Sequence, residues 1–132
     1  MQDFTIIIIG GGPIGLACAL EAKKAGINYV ILEKGCLVNS LYNYPTNMTF
    51  FSTSERLEIG GIPFVSNNAK PTRPEALEYY RRVAVANQIN IRLFEKVTGV
   101  QADGESYVVA TPKDTYRAKH LVVATGFYDI PY

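Results

Sequence analysis

Thr5 to Ile9 sets four consecutive isoleucines between Asp3 and a glycine run. A β-branched stretch of this kind predicts a strand covered on both faces, because branched side chains fit a pleated and buried surface. The pattern then changes to helical spacing from Leu16 to Lys24, with Gly26 as a natural stop. Ile27 to Leu32 predicts a second strand, which completes a βαβ unit. From Gly35 to Arg73 no period is sustained, and a stretch this long is either functional or holds short elements. A Thr72-Arg73 entry and Pro74 open a helix running to about Asn87, with Leu77, Tyr80, Val83 and Ala84 as its core face. Ile89 to Phe94 predicts a third parallel strand. Lys96 to Ala102, Tyr107 to Thr111 and Thr115 to Arg117 alternate as a small antiparallel meander, turning at Asp103-Gly104 and at Pro112-Lys113-Asp114. His120 to Thr125 closes the chain with another buried strand, Leu121-Val122-Val123-Ala124. The whole predicts one α/β domain with a parallel sheet, flanking helices and a meander, and no repeat or linker.

Composition narrows the function classes. At 132 residues and 48% hydrophobic, the chain can bury a sizeable core, which argues against disorder. A formal net charge of +1 gives no electrostatic case for nucleic acid or an anionic membrane. The basic pairs Lys23-Lys24 and Arg81-Arg82 fall on predicted helices and read as solvated faces. No apolar run approaches the roughly 20 residues of a membrane helix. The N-terminus lacks the basic region and small-residue cleavage site of a secretory signal. Cys18 and Cys36 form no C-x-x-C and read as two unpaired thiols, which points to the reducing cytoplasm.

The candidate chemistry sits at the strand ends. Gly10, Gly12 and Gly15 fill the G-x-G-x-x-G spacing, in a Gly-Gly-Gly-Pro13-Ile14-Gly loop between the first strand and the first helix. The first glycine permits a tight turn, the second lets a pyrophosphate approach the backbone, and the third lets helix pack on strand. The helix N-terminus adds free N–H groups and a positive dipole end. An ordinary βα turn is the alternative. Glu33 ends the second strand eighteen residues beyond Gly15, where a carboxylate can accept from the adenosine ribose hydroxyls and would repel a 2′-phosphate. A solvated strand end is the other reading of Glu33, and Lys34 beside it softens the repulsion. The long loop carries Tyr42, Tyr44, Phe50 and Phe51 interleaved with Asn39, Ser40, Asn43 and Asn47, either a small core under the loop or a set of cofactor contacts.

With Val122-Val123-Ala124-Thr125-Gly126 in place, the order of motifs resembles the N-terminal FAD half of the two-dinucleotide-binding flavoproteins, the thioredoxin-reductase-like and flavin-monooxygenase-like enzymes. The resemblance covers essentially all of residues 1–132 and implies a Rossmann-like FAD/NAD(P)-binding fold in three ββα layers. Gly10-Gly11-Gly12-Pro13, Glu33-Lys34-Gly35, Asn39-Ser40, Tyr42 to Thr46, Thr49 to Ser52, Ser54 to Gly60 and Ala124 to Asp129 are similar to the bacillithiol-disulfide-reductase-like branch, which also lacks a C-x-x-C. Members of that branch carry a cysteine inside the glycine loop, where this chain has Ile14. The resemblance implies FAD as cofactor, with Ala124, Thr125 and Gly126 against it. It implies Ser40, Asn43 and Asn47 as polar contacts to the ribityl chain and isoalloxazine, with Tyr42 and Tyr44 shielding the ring. The backbone at Val97 becomes an adenine contact.

No second glycine loop follows Ala124-Thr125-Gly126 before Tyr132, so residues 1–132 are expected to be part of an FAD domain without its NAD(P)H domain or returning C-terminal segment. No serine–histidine–aspartate set, metal-ligand cluster or Walker loop is present, and His120, the single histidine, reads as a surface residue. No catalytic residue is therefore assigned. The first reading is the FAD-binding portion of an NAD(P)H-dependent flavoprotein oxidoreductase, passing hydride through FAD to a disulfide or another small-molecule acceptor. The second is a stand-alone NAD- or FAD-binding Rossmann module without catalysis of its own. Apolar surface left uncovered by the missing segment is expected to favour a homodimer or other self-association.

Overall fold

The alternation of isoleucines in the first strand organises the molecule. In the computed structural model, which describes residues 1–38, 42, 50, 54–66 and 70–126, strand β1 is Gln2–Ile9. Ile6 and Ile8 face one hydrophobic cluster and Ile7 and Ile9 the other, so the strand is covered on both sides as its sequence predicts. Helix α1 (Pro13–Lys24) and β2 (Tyr29–Leu32) complete the βαβ unit. The short α2 (Ser54–Leu57) and an Ile59–Ile62 bridge lie within the long aperiodic stretch. Helix α3 (Arg73–Ala86) follows, then β3 (Ile91–Arg92), β4 (Gly99–Asp103), β5 (Ser106–Ala110) and β6 (Thr115–Val123).

Among the described residues these strands form one six-stranded mixed sheet in the order β3-β2-β1-β6-β5-β4. β1 pairs in parallel with β2 and β6, and β2 with β3, while β4-β5-β6 run antiparallel. Leu16, Ala19 and Leu20 of α1 and Leu77, Tyr80 and Val83 of α3 pack on the Ile8 and Ile31 face. Val109 of β5 and Tyr116 and Ala118 of β6 pack on the other face, against Ile7, Val30 and Leu32. Helices, parallel strands and meander thus make three layers.

Several expectations need correction, among them the strand expected over Lys96 to Ala102, which is Gly99–Asp103. The strands predicted to begin at Ile27 and Ile89 begin later, for one reason at both places. Ile27 donates its N–H to Ala22 O at 2.9 Å and Ile89 to Ala84 O at 3.1 Å, each closing the helix before it after a residue in the left-handed region, Gly26 (φ +70) or Gln88 (φ +51). The third strand also ends early, because Phe94 takes φ +54 and leaves the extended conformation. Lastly, Thr115–Arg117 and His120–Thr125 are not separate strands. Nothing between them breaks the chain, so β6 pairs with β5 near its start and with β1 along nearly its whole length. Its end is not buried: Val123 is 71% exposed.

The α3 entry follows its sequence. Thr72 Oγ1 accepts from Glu75 N–H, and Glu75 Oε1 accepts from Thr72 N–H at 3.1 Å, a reciprocal capping box. Tyr79, absent from the predicted core face, is fully buried and donates its hydroxyl to Ile62 O at 2.6 Å, fastening the aperiodic stretch to α3.

Candidate nucleotide site

The carboxyl ends of β1, β2, β3 and β6 meet on one edge, where an α/β sheet offers a crevice to ligands. Each glycine of the loop has its own surroundings there. Gly10 takes φ +114, and a β-carbon on it would lie 2.2 Å from Ala124 O and 3.1 Å from Thr125 N. Only glycine lets the loop press against the end of β6. Gly15 carries the helix onto the strand, since a β-carbon there would lie 2.0 Å from Gly10 O. Gly12 differs from both. Its φ is −83, it caps α1 with no side-chain bond, and a β-carbon on it would meet nothing within 4 Å. The α1 N-terminus therefore opens onto free space. Pro13 at the first turn has no N–H to lose, and the N–H groups of Ile14 and Gly15 precede the first intrahelical bond, from Leu16 N–H to Gly12 O at 2.9 Å. This is a cradle of the shape and polarity that a pyrophosphate requires.

Glu33 is the second part. Its side chain is buried, and Oε1 accepts from Gly11 N–H at 2.7 Å while Oε2 accepts from Gly35 N–H at 2.7 Å. The solvated strand-end reading is thus excluded. Each oxygen retains lone-pair capacity for a hydroxyl donor. Gly11 is pinned on both sides, for its carbonyl accepts from Val38 N–H at 3.0 Å. A β-carbon on Gly11 would lie 2.8 Å from Ile91 Cδ1 and 3.2 Å from Glu33 Cβ, so the ends of all three strands touch through this residue. The G-x-G-x-x-G spacing gives Gly11 no role, and the unbroken run of three glycines is its one signal in the sequence.

The β3–β4 connection is held from below. Tyr116 O–H donates to Glu95 Oε2, as does Thr111 Oγ1 at 3.1 Å, and both Tyr116 and Glu95 are buried. Arg92 donates to Tyr116 O–H at 3.0 Å and to Gln2 Oε1 at 2.6 Å. Burial, and then the Glu95 carboxylate, push the Tyr116 phenol above its ordinary value. Above this network, Glu95 N–H donates to Glu33 O at 2.8 Å, which ties the connection to the acid of the site.

Gly10, Gly12, Gly15, Glu33, Ala124 and Thr125 are therefore brought to one edge, with Gly126 next in the chain at φ +83. Ile14 stands 67% exposed in the first turn of α1, and Lys34 is half-buried beside Glu33. Val97 is half-buried and packs into the meander-side cluster. Ser40, Asn43 and Asn47, with Asn39, Tyr44 and Phe51, lie outside the described residues. Tyr42 is exposed, and Phe50 packs against the helix-side core. Cys18 and Cys36 are both half-buried thiols, not joined in a disulfide. Burial raises the Cys36 thiol, Arg81 opposes the rise, and the Glu33 carboxylate adds to it.

Residues 7–132 match the profile of the pyridine nucleotide-disulphide oxidoreductase family. The chain belongs to that family. A member from Bacillus subtilis, the bacilliredoxin reductase Bdr, is 48% identical over 126 residues, which are 95% of this chain and 39% of that protein. The structure of bacillithiol disulfide reductase Bdr (YpdA) from Bacillus cereus matches with a TM-score of 0.94 and 52% identity, over 98% of this chain and 42% of that one. The Staphylococcus aureus protein of the same name matches with a TM-score of 0.93 and 47% identity, over 97% and 40%. The chain thus spans about two fifths of the length of the family members it matches. The expected Rossmann-like flavoprotein fold is the fold of these family members. No helix among the described residues is long and apolar enough to cross a membrane.

Proposed function

We propose that residues 1–132 form the N-terminal part of the FAD-binding domain of an NAD(P)H-dependent flavoprotein disulfide reductase. One observation carries this reading: the uncapped N-terminus of α1 opens at Gly12 onto free space, while the glycines on either side are packed shut. The FAD pyrophosphate would lie over Gly12 and Pro13, held by the N–H groups of Ile14 and Gly15. The adenosine ribose hydroxyls would donate to the remaining lone pairs of Glu33, with Lys34 at the rim. The Val97 backbone would face the adenine. Ala124, Thr125 and Gly126 would lie against the flavin half, with Ser40, Asn43 and Asn47 contributing polar contacts.

When bound, FAD supplies two-electron transfer between a nicotinamide and an acceptor. This chain's residues bind and orient it. The NAD(P)H site belongs to a second domain in this reading. The names of the Bdr relatives support a low-molecular-weight disulfide of the bacillithiol type as acceptor. Ile14 places no thiol in the glycine loop, so acceptor reduction does not pass through a cysteine at that position. The cytoplasm, where thiols stay reduced, is the compartment that suits two unbridged cysteines. Self-association is supported by Val123, exposed at the end of β6.

The test is made on the full-length protein. It is expected to carry an oxidised-flavin spectrum, to release FAD on heating, and to bleach anaerobically with NADPH or NADH. Colourless protein that takes up no added FAD overturns the reading, and tight NAD binding without FAD supports a stand-alone Rossmann module instead.

A further inference from the structure

Three adjacent strand ends carry three different features. β1 ends in the glycine loop, β2 in Glu33, and β3 in a turn that presents Phe94. Phe94 departs from ordinary chain behaviour in two ways. Its φ is +54, in the left-handed region where a bulky L side chain is disfavoured and glycine or asparagine is usual. It is also 65% exposed, so a large apolar ring stands in water. Neither feature favours the ligand-free fold.

The conformation is nevertheless firmly held. Phe94 N–H donates to Gly35 O at 3.1 Å and Glu95 N–H to Glu33 O at 2.8 Å, so the turn is bonded twice to the Glu33–Gly35 segment. Beneath it the buried Glu95 side chain is locked by Tyr116 and Thr111. The turn that carries Phe94 is thus bonded to the segment that carries Glu33, at the end of a strand that lies on the far side of β2 from β1 and its glycine loop.

We propose that Phe94 is the platform on which the adenine of the bound dinucleotide stacks; this rests on the FAD reading above. A dinucleotide whose pyrophosphate lies at the α1 N-terminus and whose ribose reaches Glu33 runs along the strand order from β1 to β2. Its base then arrives at the end of β3. Stacking covers the exposed ring there and offsets the unfavourable backbone of Phe94.

The proposal separates affinity from stability. In the full-length apo-protein, Phe94→Gly relieves the left-handed strain and is expected to keep or raise the melting temperature. The same variant is expected to bind ADP and FAD at least about 5-fold more weakly, since base–aromatic stacking commonly contributes a factor of that size or more. Phe94→Tyr is expected to bind as the wild type does, and pyrophosphate alone to bind both proteins equally. Wild-type protein titrated with ADP is expected to show hypochromism of the adenine band. A Phe94→Gly variant that binds ADP and FAD like the wild type overturns the proposal, whatever its stability. If that variant loses stability and affinity together, the wild-type hypochromism decides, and its absence overturns the proposal. Wild-type protein that binds no FAD defeats the underlying FAD reading instead, an outcome distinct from these.

Discussion

Glu33 Oε1 and the Gly11 N–H lie 2.7 Å apart, a buried bond that ties the end of β2 to the middle of the glycine loop. With Oε2 bonded to Gly35 N–H at 2.7 Å, one carboxylate shapes the loop at the edge where the ribose is proposed to lie. Holding a loop and accepting from a sugar are compatible, because each carboxylate oxygen accepts more than one donor.

Glu33→Gln is therefore expected to destabilise the fold as well as weaken FAD binding. An amide keeps one acceptor oxygen and sets an NH2 against either Gly11 or Gly35, two donors face to face in a buried place. The expected loss is about 1–3 kcal/mol. Denaturant titration of full-length apo-protein measures it, and an unchanged midpoint would show that the two backbone bonds do not shape the loop.

The glycines are expected to separate by function. Gly10→Ala forces a β-carbon to 2.2 Å from Ala124 O at φ +114, and should leave little folded protein. Gly12→Ala meets no atom within 4 Å at an ordinary φ, so its melting temperature should match the wild type in the absence of cofactor. Its added methyl stands where the pyrophosphate would lie, so flavin content after purification should fall sharply. A yellow, fully loaded Gly12→Ala protein would move the pyrophosphate elsewhere.

Tyr116→Phe removes one of two hydroxyl donors to the buried Glu95 carboxylate. Leaving that group short of a partner is expected to lower stability by about 1–3 kcal/mol. The turn that follows β3 should exchange its amide hydrogens faster, which hydrogen-exchange mass spectrometry resolves residue by residue. Unaltered exchange at Phe94 and Glu95 would separate this network from the site.

Cys36 provides a pH readout. Burial raises its folded pKa above the ordinary 9.0, so at a given alkaline pH less of it is thiolate in the folded chain than in the unfolded one. Alkylation of Cys36 in native protein is expected to be slower than in denatured protein, and to rise with pH through a midpoint above 9.0. Peptide mapping after iodoacetamide at stepped pH gives the profile. Faster labelling in the native state would mean that Arg81 outweighs burial.

Much of this was legible in the chain because it is locally encoded. Four isoleucines in a row, the G-x-G-x-x-G spacing and the Thr72–Glu75 box each act within a few residues of themselves, so period and residue type suffice to read them. Strand limits were less legible. Whether Ile27 and Ile89 extend a strand or close a helix depends on which carbonyl captures their N–H, and apolar character is the same in both cases. The join of Thr115–Arg117 with His120–Thr125 was hidden for a related reason. One segment alternates and the other is a continuous apolar run, because β6 pairs with β5 at one end and with β1 along its length.

By itself the sequence determined the layers of the fold, the residues at the β1–α1 turn and the acid that follows β2, since each follows from side-chain size, branching or spacing along the chain. Only the tertiary structure decided that Gly10 is shut against Ala124 while Gly12 is open, that Glu33 grips Gly11, and that Phe94 stands out at the end of β3. Those relations join residues from separate strands, and the space and hydrogen bonds between them exist only once the sheet has brought its carboxyl ends together.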